Sequence, residues 1–179
     1  MNIYEDYVNY MSECQDLIEK MIETNSSIYY VLNDVIKVCD YIYQEYSKNN
    51  SLDEDLEEIF DIGYGYLSNT LGDLKTYYED YYNKDINLFN SYAELMLYSV
   101  YIDDYKGHLE VRDLLNDEIK SDLDGLNEEI DDILVNKKEF DESLVIAIDA
   151  RIGAIQLKDD DYKTVYNVFQ MIAETLNLE

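Results

Sequence analysis

No proline interrupts the chain's 179 residues, and only six residues are glycine. Proline and glycine are the strongest breakers of regular structure, so a chain this poor in them favours long helices joined by short polar turns. The apolar residues agree. Ile3, Tyr7, Tyr10, Cys14, Leu17 and Met21 recur at steps of three and four, which predicts one amphipathic helix over residues 3–24. Asn25-Ser26-Ser27 breaks it and can cap the next. Residues 28–47 carry Val31, Leu32, Val35, Ile36, Cys39, Ile42, Tyr43 and Tyr46 at helical spacing. Lys48-Asn49-Asn50 is a turn. Ser51-Leu52-Asp53-Glu54 then reads as a capping box that opens a helix with Leu56, Ile59 and Phe60.

Gly63 and Gly65 mark a bend or a close backbone contact, after which Leu67, Leu71, Leu74, Tyr78 and Tyr81 resume helical spacing. Asn83-Lys84-Asp85 reads as a turn. Leu88, Phe89, Tyr92, Leu95, Met96 and Ser99 predict another helix, whose end, Leu97 to Ile102, has a strand-like aromatic and β-branched composition. Gly107 opens a long segment to about Asn136, with Leu115, Ile119, Leu123, Leu126, Ile130 and Ile133 as its apolar stripe. Residues 139–157 and 160–177 give two more helices. The expected class is mainly all-α: a bundle of about six to eight helices with, at most, a minor strand element. Composition shifts near residue 106, since of 20 Tyr only Tyr162 and Tyr166 lie beyond it. That divides the chain into a Tyr-rich acidic region, 1–105, and an aliphatic acidic region, 106–179. Two helical subdomains and a single bundle both fit this division.

Charge constrains function more than it constrains fold. There are 41 Asp and Glu against 13 Lys and Arg, a net charge of −28. Hydrophobic residues make up 47% of the chain, enough to bury a core and to exclude wholesale disorder. Spread over the ~9,000 Å² surface of a folded chain this size, the excess is about one net negative charge per 300 Å². Such a surface repels nucleic acid and anionic membranes and attracts basic proteins. Direct nucleic-acid binding is further disfavoured because only Arg112 and Arg151 supply guanidinium groups. The N-terminus carries Glu5 and Asp6 instead of a basic leader, and no apolar run approaches the length of a membrane span, so a soluble, cytoplasmic chain is expected. Cys14 and Cys39 are too few for a disulfide framework. Both lie among apolar residues at helical spacing and read as reduced core thiols, with a redox pair as the alternative.

Signals of catalysis are sparse. The single histidine, His108, excludes a di-iron site built from two Glu-x-x-His motifs, and no C-x-x-C spacing supports zinc. Aligning Asp122-Leu123-Asp124-Gly125 with a calcium loop puts Lys120 at the first ligand position, where a carboxylate is needed. Asp159-Asp160-Asp161 reads as a helix start, its carboxylates near the positive end of the macrodipole. Glu57-Glu58-x-x-Asp61 and Glu128-x-x-Asp131 resemble the paired acidic motifs of all-helical, magnesium-dependent nucleotide pyrophosphatases, where carboxylates on one helix face hold Mg²⁺ against phosphates. The match departs from that family at Asp61, where the pattern has Glu, and in the long separation of the two motifs. The expectation is a chain that is not an enzyme and has no cofactor, catalytic residue or metal.

The acids themselves are patterned. Glu110, Asp113, Asp117, Asp124, Glu128 and Asp131 fall at steps of three, four and seven, opposite Leu115, Ile119, Leu126 and Ile133 on a helix. Asp53, Glu54, Asp55, Glu57, Glu58 and Asp61 form a second acidic run. Tyr29-Tyr30, Tyr77-Tyr78 and Tyr81-Tyr82 are adjacent pairs whose members point about 100° apart on a helix, so some must be exposed or face a second surface, with Tyr77, Tyr78, Tyr81 and Tyr82 as the candidate exposed aromatic contacts. In charge, size and helicity the chain resembles the small acidic nucleic-acid mimics with which phages block restriction and CRISPR enzymes. The resemblance matches no motif and assigns no residue a role. It implies an inhibitor that occupies the basic nucleic-acid-binding groove of a nuclease or CRISPR effector. An immunity protein neutralising a cationic toxin, and a helical scaffold or adaptor, remain open beside it.

Overall fold

The computed structural model describes residues 2–81, 86–136, 142–156 and 165–178. Among them are eight helices and no strand: α1 (Ile3–Glu13), α2 (Gln15–Glu23), α3 (Ser27–Asn49), α4 (Glu54–Tyr81), α5 (Ile86–Val111), α6 (Asp117–Asn136), α7 (Glu142–Gln156) and α8 (Val165–Thr175). The all-α expectation holds. The turn expected at Asn83–Asp85, the Asp159–Asp161 run and Tyr82 lie outside the described residues. No described helix is long and apolar enough to cross a membrane.

Several boundaries differ from the sequence reading, each for a local reason. The helix expected over 3–24 is broken at Cys14, whose backbone (φ −89, ψ 0) leaves the helical region between α1 and α2. Residues 97–102 are helical within α5, not a strand. Leu97 and Ile102 are buried there and Tyr98, Val100 and Tyr101 half-buried, so the segment packs as one side of a helix. The cap of α4 is Asp53, not Ser51: the Asp53 carboxylate accepts from the Asp55 amide at 2.9 Å. Ser26 precedes α3 but its side chain makes no capping bond, and its hydroxyl is buried. Asn2 and Asn116 cap α1 and α6 through amides three residues on, each at 2.9 Å.

Among the described residues, α2, α3, α5 and α8 are followed by Asn or Asp at positive φ, not Gly. Asn25, Asp113 and Asn177 take left-handed backbone conformations, and each closes a turn in which the next amide reaches back five residues: Ser26 to Met21, Leu114 to Leu109 and Leu178 to Ala173. That is the bonding of a Schellman motif, with the short polar side chain tolerating positive φ in glycine's place. All six glycines lie inside helices, so neither Gly63 nor Gly65 bends the chain and Gly107 opens nothing.

The chain divides into two compact units, residues 1–89 with 166–179, and residues 90–165. The composition shift at residue 106 is not this division. Composition follows which side chains fill a core, whereas unit membership follows which segments touch, and the C-terminal helix α8 belongs with the N-terminal residues.

The first unit is held by tyrosine and phenylalanine. Tyr4 stacks on Tyr46 at 4.0 Å between ring centroids, Tyr7 meets Phe60 edge-on at 5.3 Å, and Tyr7 and Tyr10 both contact Tyr64. The hydroxyls find acceptors at the edge of the cluster: Tyr7 donates to Asp40 Oδ1 at 2.6 Å and Tyr10 to the Ser68 carbonyl at 3.0 Å. Burial and the adjoining Asp40 carboxylate push the Tyr7 phenol far above its usual range. Cys14 and Cys39 are free and buried, and burial raises the Cys39 thiol to about 12. In the second unit α5, α6 and α7 bury an aliphatic core that includes Leu123, Leu126, Ile130, Ile148 and Ile152.

Gly63 is a close-approach position. A Cβ there would stand 2.8 Å from Cys39 Sγ and 3.1 Å from the Phe169 ring, while one at Gly65 would meet nothing within 4 Å. Two substitutions on one helix therefore have opposite expected signs in urea unfolding. Gly65→Ala gains about 0.5–1 kcal/mol by reducing backbone freedom. Gly63→Ala loses about 1–3 kcal/mol to overpacking, and adding Cys39→Ala restores part of the loss.

Candidate acidic interface

The acidic stripe expected along one helix from Glu110 to Asp131, with a gap around Ser121, is in two pieces. Glu110 lies in the last turn of α5, Asp113 holds the left-handed position in the turn, and α6 begins only at Asp117. Two local signals make the break: the Schellman turn at Asp113 and the Asn116 cap. The intact part is α6. Its 20 residues contain eight carboxylates and one lysine, Lys120. Leu123, Leu126, Ile130, Ile133 and Leu134 turn inward. Asp117, Glu118, Asp122, Glu128, Glu129, Asp131 and Asp132 are exposed, and Asp124 is half-buried. Lys120, Ser121 and Gly125 interrupt the row, leaving a shallow, open depression of about 400 Å³ bordered by Asp117, Asp124 and Glu128.

One flank of α6 is committed to α5. Lys106 Nζ meets Asp124 Oδ1 at 2.8 Å, Asn127 donates to Asp103 at 2.9 Å, and Ser99 donates to Asn127 at 3.0 Å. The Asp124 carboxylate, an important hydrogen-bond partner, helps hold the Lys106 ammonium above its usual range. Asp131 lies near the same seam. Burial, and secondarily the Asp103 charge, raise its carboxyl above the usual carboxylate range. The opposite flank is tied to α7 by Arg151 Nη1 and Glu129 Oε2 at 2.7 Å. Of the predicted stripe, Asp124 thus acts partly within the unit, Asp131 lies beside the Asp103 carboxylate that repels it, and Asp117 and Glu128 face outward with Asp132, which the spacing argument passed over.

The second acidic run has a local purpose. Asp53 is the α4 cap, and Glu54, Asp55 and Glu57 occupy the first turn, where carboxylates interact favourably with the helix dipole. Glu58 and Asp61 follow, also exposed. Burial above all, then Glu57 and Asp61, raises the Tyr4 phenol. The two acidic motifs compared with the pyrophosphatases fall in different units, Glu57, Glu58 and Asp61 in the first and Glu128 and Asp131 in the second. Among the described residues no three carboxylate, thiol or imidazole groups converge as a metal-binding set.

The aromatic expectation needs correction. Tyr77 and Tyr78 are half-buried, and Tyr78 packs edge-on against Phe89 at 6.0 Å. Adjacent tyrosines can both be used because a helix in a multi-helix unit has neighbours on more than one side. Tyr81 closes α4. The exposed tyrosine among the described side chains is Tyr30, 58% accessible, with its hydroxyl on the Asn25 side-chain oxygen. It belonged to a pair visible in the sequence, but spacing alone could not choose among the pairs. His108 stacks on Tyr105 at 6.5 Å and contacts Arg112 at 3.3 Å, as part of the α5 terminus.

Compared with protein-family models, curated proteins and solved structures, the chain has no match in any of the three.

The raised carboxyl of Asp131 gives a pH signature. A group whose pKa rises on folding stabilises the folded state most while it is protonated in both states, below about pH 4. That contribution is lost as the pH climbs through the raised value. Asp131→Asn is therefore expected to raise the melting temperature at pH 7 and to leave it unchanged at pH 3. A gain of equal size at both pH values would contradict this.

Proposed function

We propose that this chain is an acidic binding protein that occupies the basic groove of a nucleic-acid-binding enzyme, such as a nuclease or CRISPR effector, and so inhibits it. The observation that carries this reading is the charge density of α6. Its eight carboxylates lie along a helix of about 30 Å, or about one per 4 Å of axis. One DNA strand presents a phosphate per ~3.4 Å. A groove built to neutralise an anionic array meets comparable charge per length of rigid helix, of which Asp117, Glu128 and Asp132 are the outward part. The net charge of −28 adds long-range attraction toward such a groove, which speeds encounter and weakens with salt.

The test is capture from the natural host with the full chain, followed by elution with salt and, separately, with duplex DNA. A basic nucleic-acid-binding protein released by both is the expected result. Asp117→Asn/Glu128→Gln/Asp132→Asn should weaken its capture at least about tenfold and flatten the salt dependence. A partner that stays bound in high salt and ignores DNA, or recovery of no basic protein, overturns the reading.

A further inference from the structure

Unit two presents a second outward feature beside the acidic helix. α7 buries Val145, Ile148 and Ile152. At about 100° per residue, Ile146, Ala150 and Ala154 lie on the opposite side, with Ala147 adjoining. All four are exposed, Ile146 at 60%. Among the described side chains no charged residue shares this face, and exposed Ser143 is its polar member. Asp149 and Arg151 stand on its two flanks, and Arg151 is turned toward α6 by its bond to Glu129. In a chain that is 30% charged, an uncharged helix face turned away from its own core is conspicuous. Soluble helices normally place polar residues there.

The Glu129–Arg151 bridge and the buried residues fix two directions on each helix, inward and toward the neighbour. The remaining direction is outward. On α6 it carries Asp117, Glu128 and Asp132, and on α7 it carries Ile146, Ala150 and Ala154. A carboxylate row and an apolar row therefore both face outward, on two helices joined by one ion pair.

We propose that this double row docks a basic amphipathic helix of the partner, its apolar stripe on α7 and its Lys and Arg flank along α6. The inference rests on the acidic-surface reading above and specifies what part of a basic partner fits. Charge complementarity selects the occupant. A second copy of this chain would bring another −28 to the surface, and an anionic membrane would be repelled, whereas a basic helix satisfies both rows at once. The small side chains at Ala147, Ala150 and Ala154 allow close approach of a helix backbone, and the apolar contact survives salt concentrations that screen the carboxylates.

The probe is a synthetic peptide of about 18 residues, five helical turns, with Leu on one face and Lys and Arg elsewhere. It is compared with a peptide of the same composition whose order leaves no apolar face. Binding to the full chain is measured by fluorescence anisotropy. The amphipathic peptide should bind about tenfold more tightly than its permuted counterpart. Ala150→Glu separates apolar from purely electrostatic docking by sign. The added carboxylate would tighten a purely electrostatic complex with either peptide, but here it should weaken the amphipathic one about tenfold. Ile146→Gln, which changes no charge, should weaken it in the same direction and covers the case of a misfolded Ala150→Glu. Equal affinity for the two peptides, or tighter amphipathic binding by Ala150→Glu, overturns the inference and leaves the acidic reading standing. Failure of both peptides to bind overturns both.

Discussion

The packing of tyrosine rings around Phe60 is the interaction on which the first unit depends. Tyr4, Tyr7, Tyr46 and Tyr64 reach that cluster from α1, α3 and α4. A tyrosine ring buries apolar area much as phenylalanine does, but its hydroxyl needs a partner when it leaves water. Tyr7 and Tyr10 meet that requirement at the rim of the cluster, on Asp40 and on the Ser68 carbonyl. This is how a chain with 20 Tyr and no Trp buries aromatic rings in its core, with Tyr30 the exposed tyrosine among the described side chains. The same constraint explains Gly63: α4 can lie against Cys39 and Phe169 only where it has no side chain.

Placement of charge is the complementary constraint. With 41 acids and 13 bases, most carboxylates have no cationic neighbour available. Many are accommodated on outer helix faces, at caps and in first turns, where solvent and unpaired amides reduce their repulsion. Cations also appear between helices, as in Lys106–Asp124 and Arg151–Glu129. Partly exposed pairs of this kind contribute only about 0–1 kcal/mol each, so they set the rotation of α6 more than they hold it in place. That rotation leaves Asp117, Glu128 and Asp132 outward, and makes α6 the best-defined anionic surface of the second unit.

Much of the helical content was legible because apolar spacing is a local property. Val31 to Tyr46 and Leu123 to Ile133 could be assigned to helix faces directly. The errors have a common cause. Gly63 and Gly65 were read as a bend or a close backbone contact; Gly63 is the close contact, Gly65 is neither, and the helix runs through both. Asp113 was read as one more carboxylate of a stripe, although Asn and Asp are the residues besides glycine that tolerate the left-handed position closing a helix. Tyr77 and Tyr78 were candidates for exposure or for a second surface; both are half-buried, and spacing along one helix could not choose between those outcomes. The acids of the candidate site were therefore identifiable by type, but the subset facing outward was not.

What the sequence by itself determined was the helical class, the large acidic excess and the helical faces on which hydrophobic residues recur. Each follows from residue type and near-neighbour spacing. Tertiary structure decided that the C-terminal helix joins the first unit, that Asp124 partly serves the α5–α6 seam, and that α7 keeps an uncharged face outward. Those outcomes depend on which side chains from distant segments compete for the same volume and the same few cations, and periodicity along one helix carries no information about that competition.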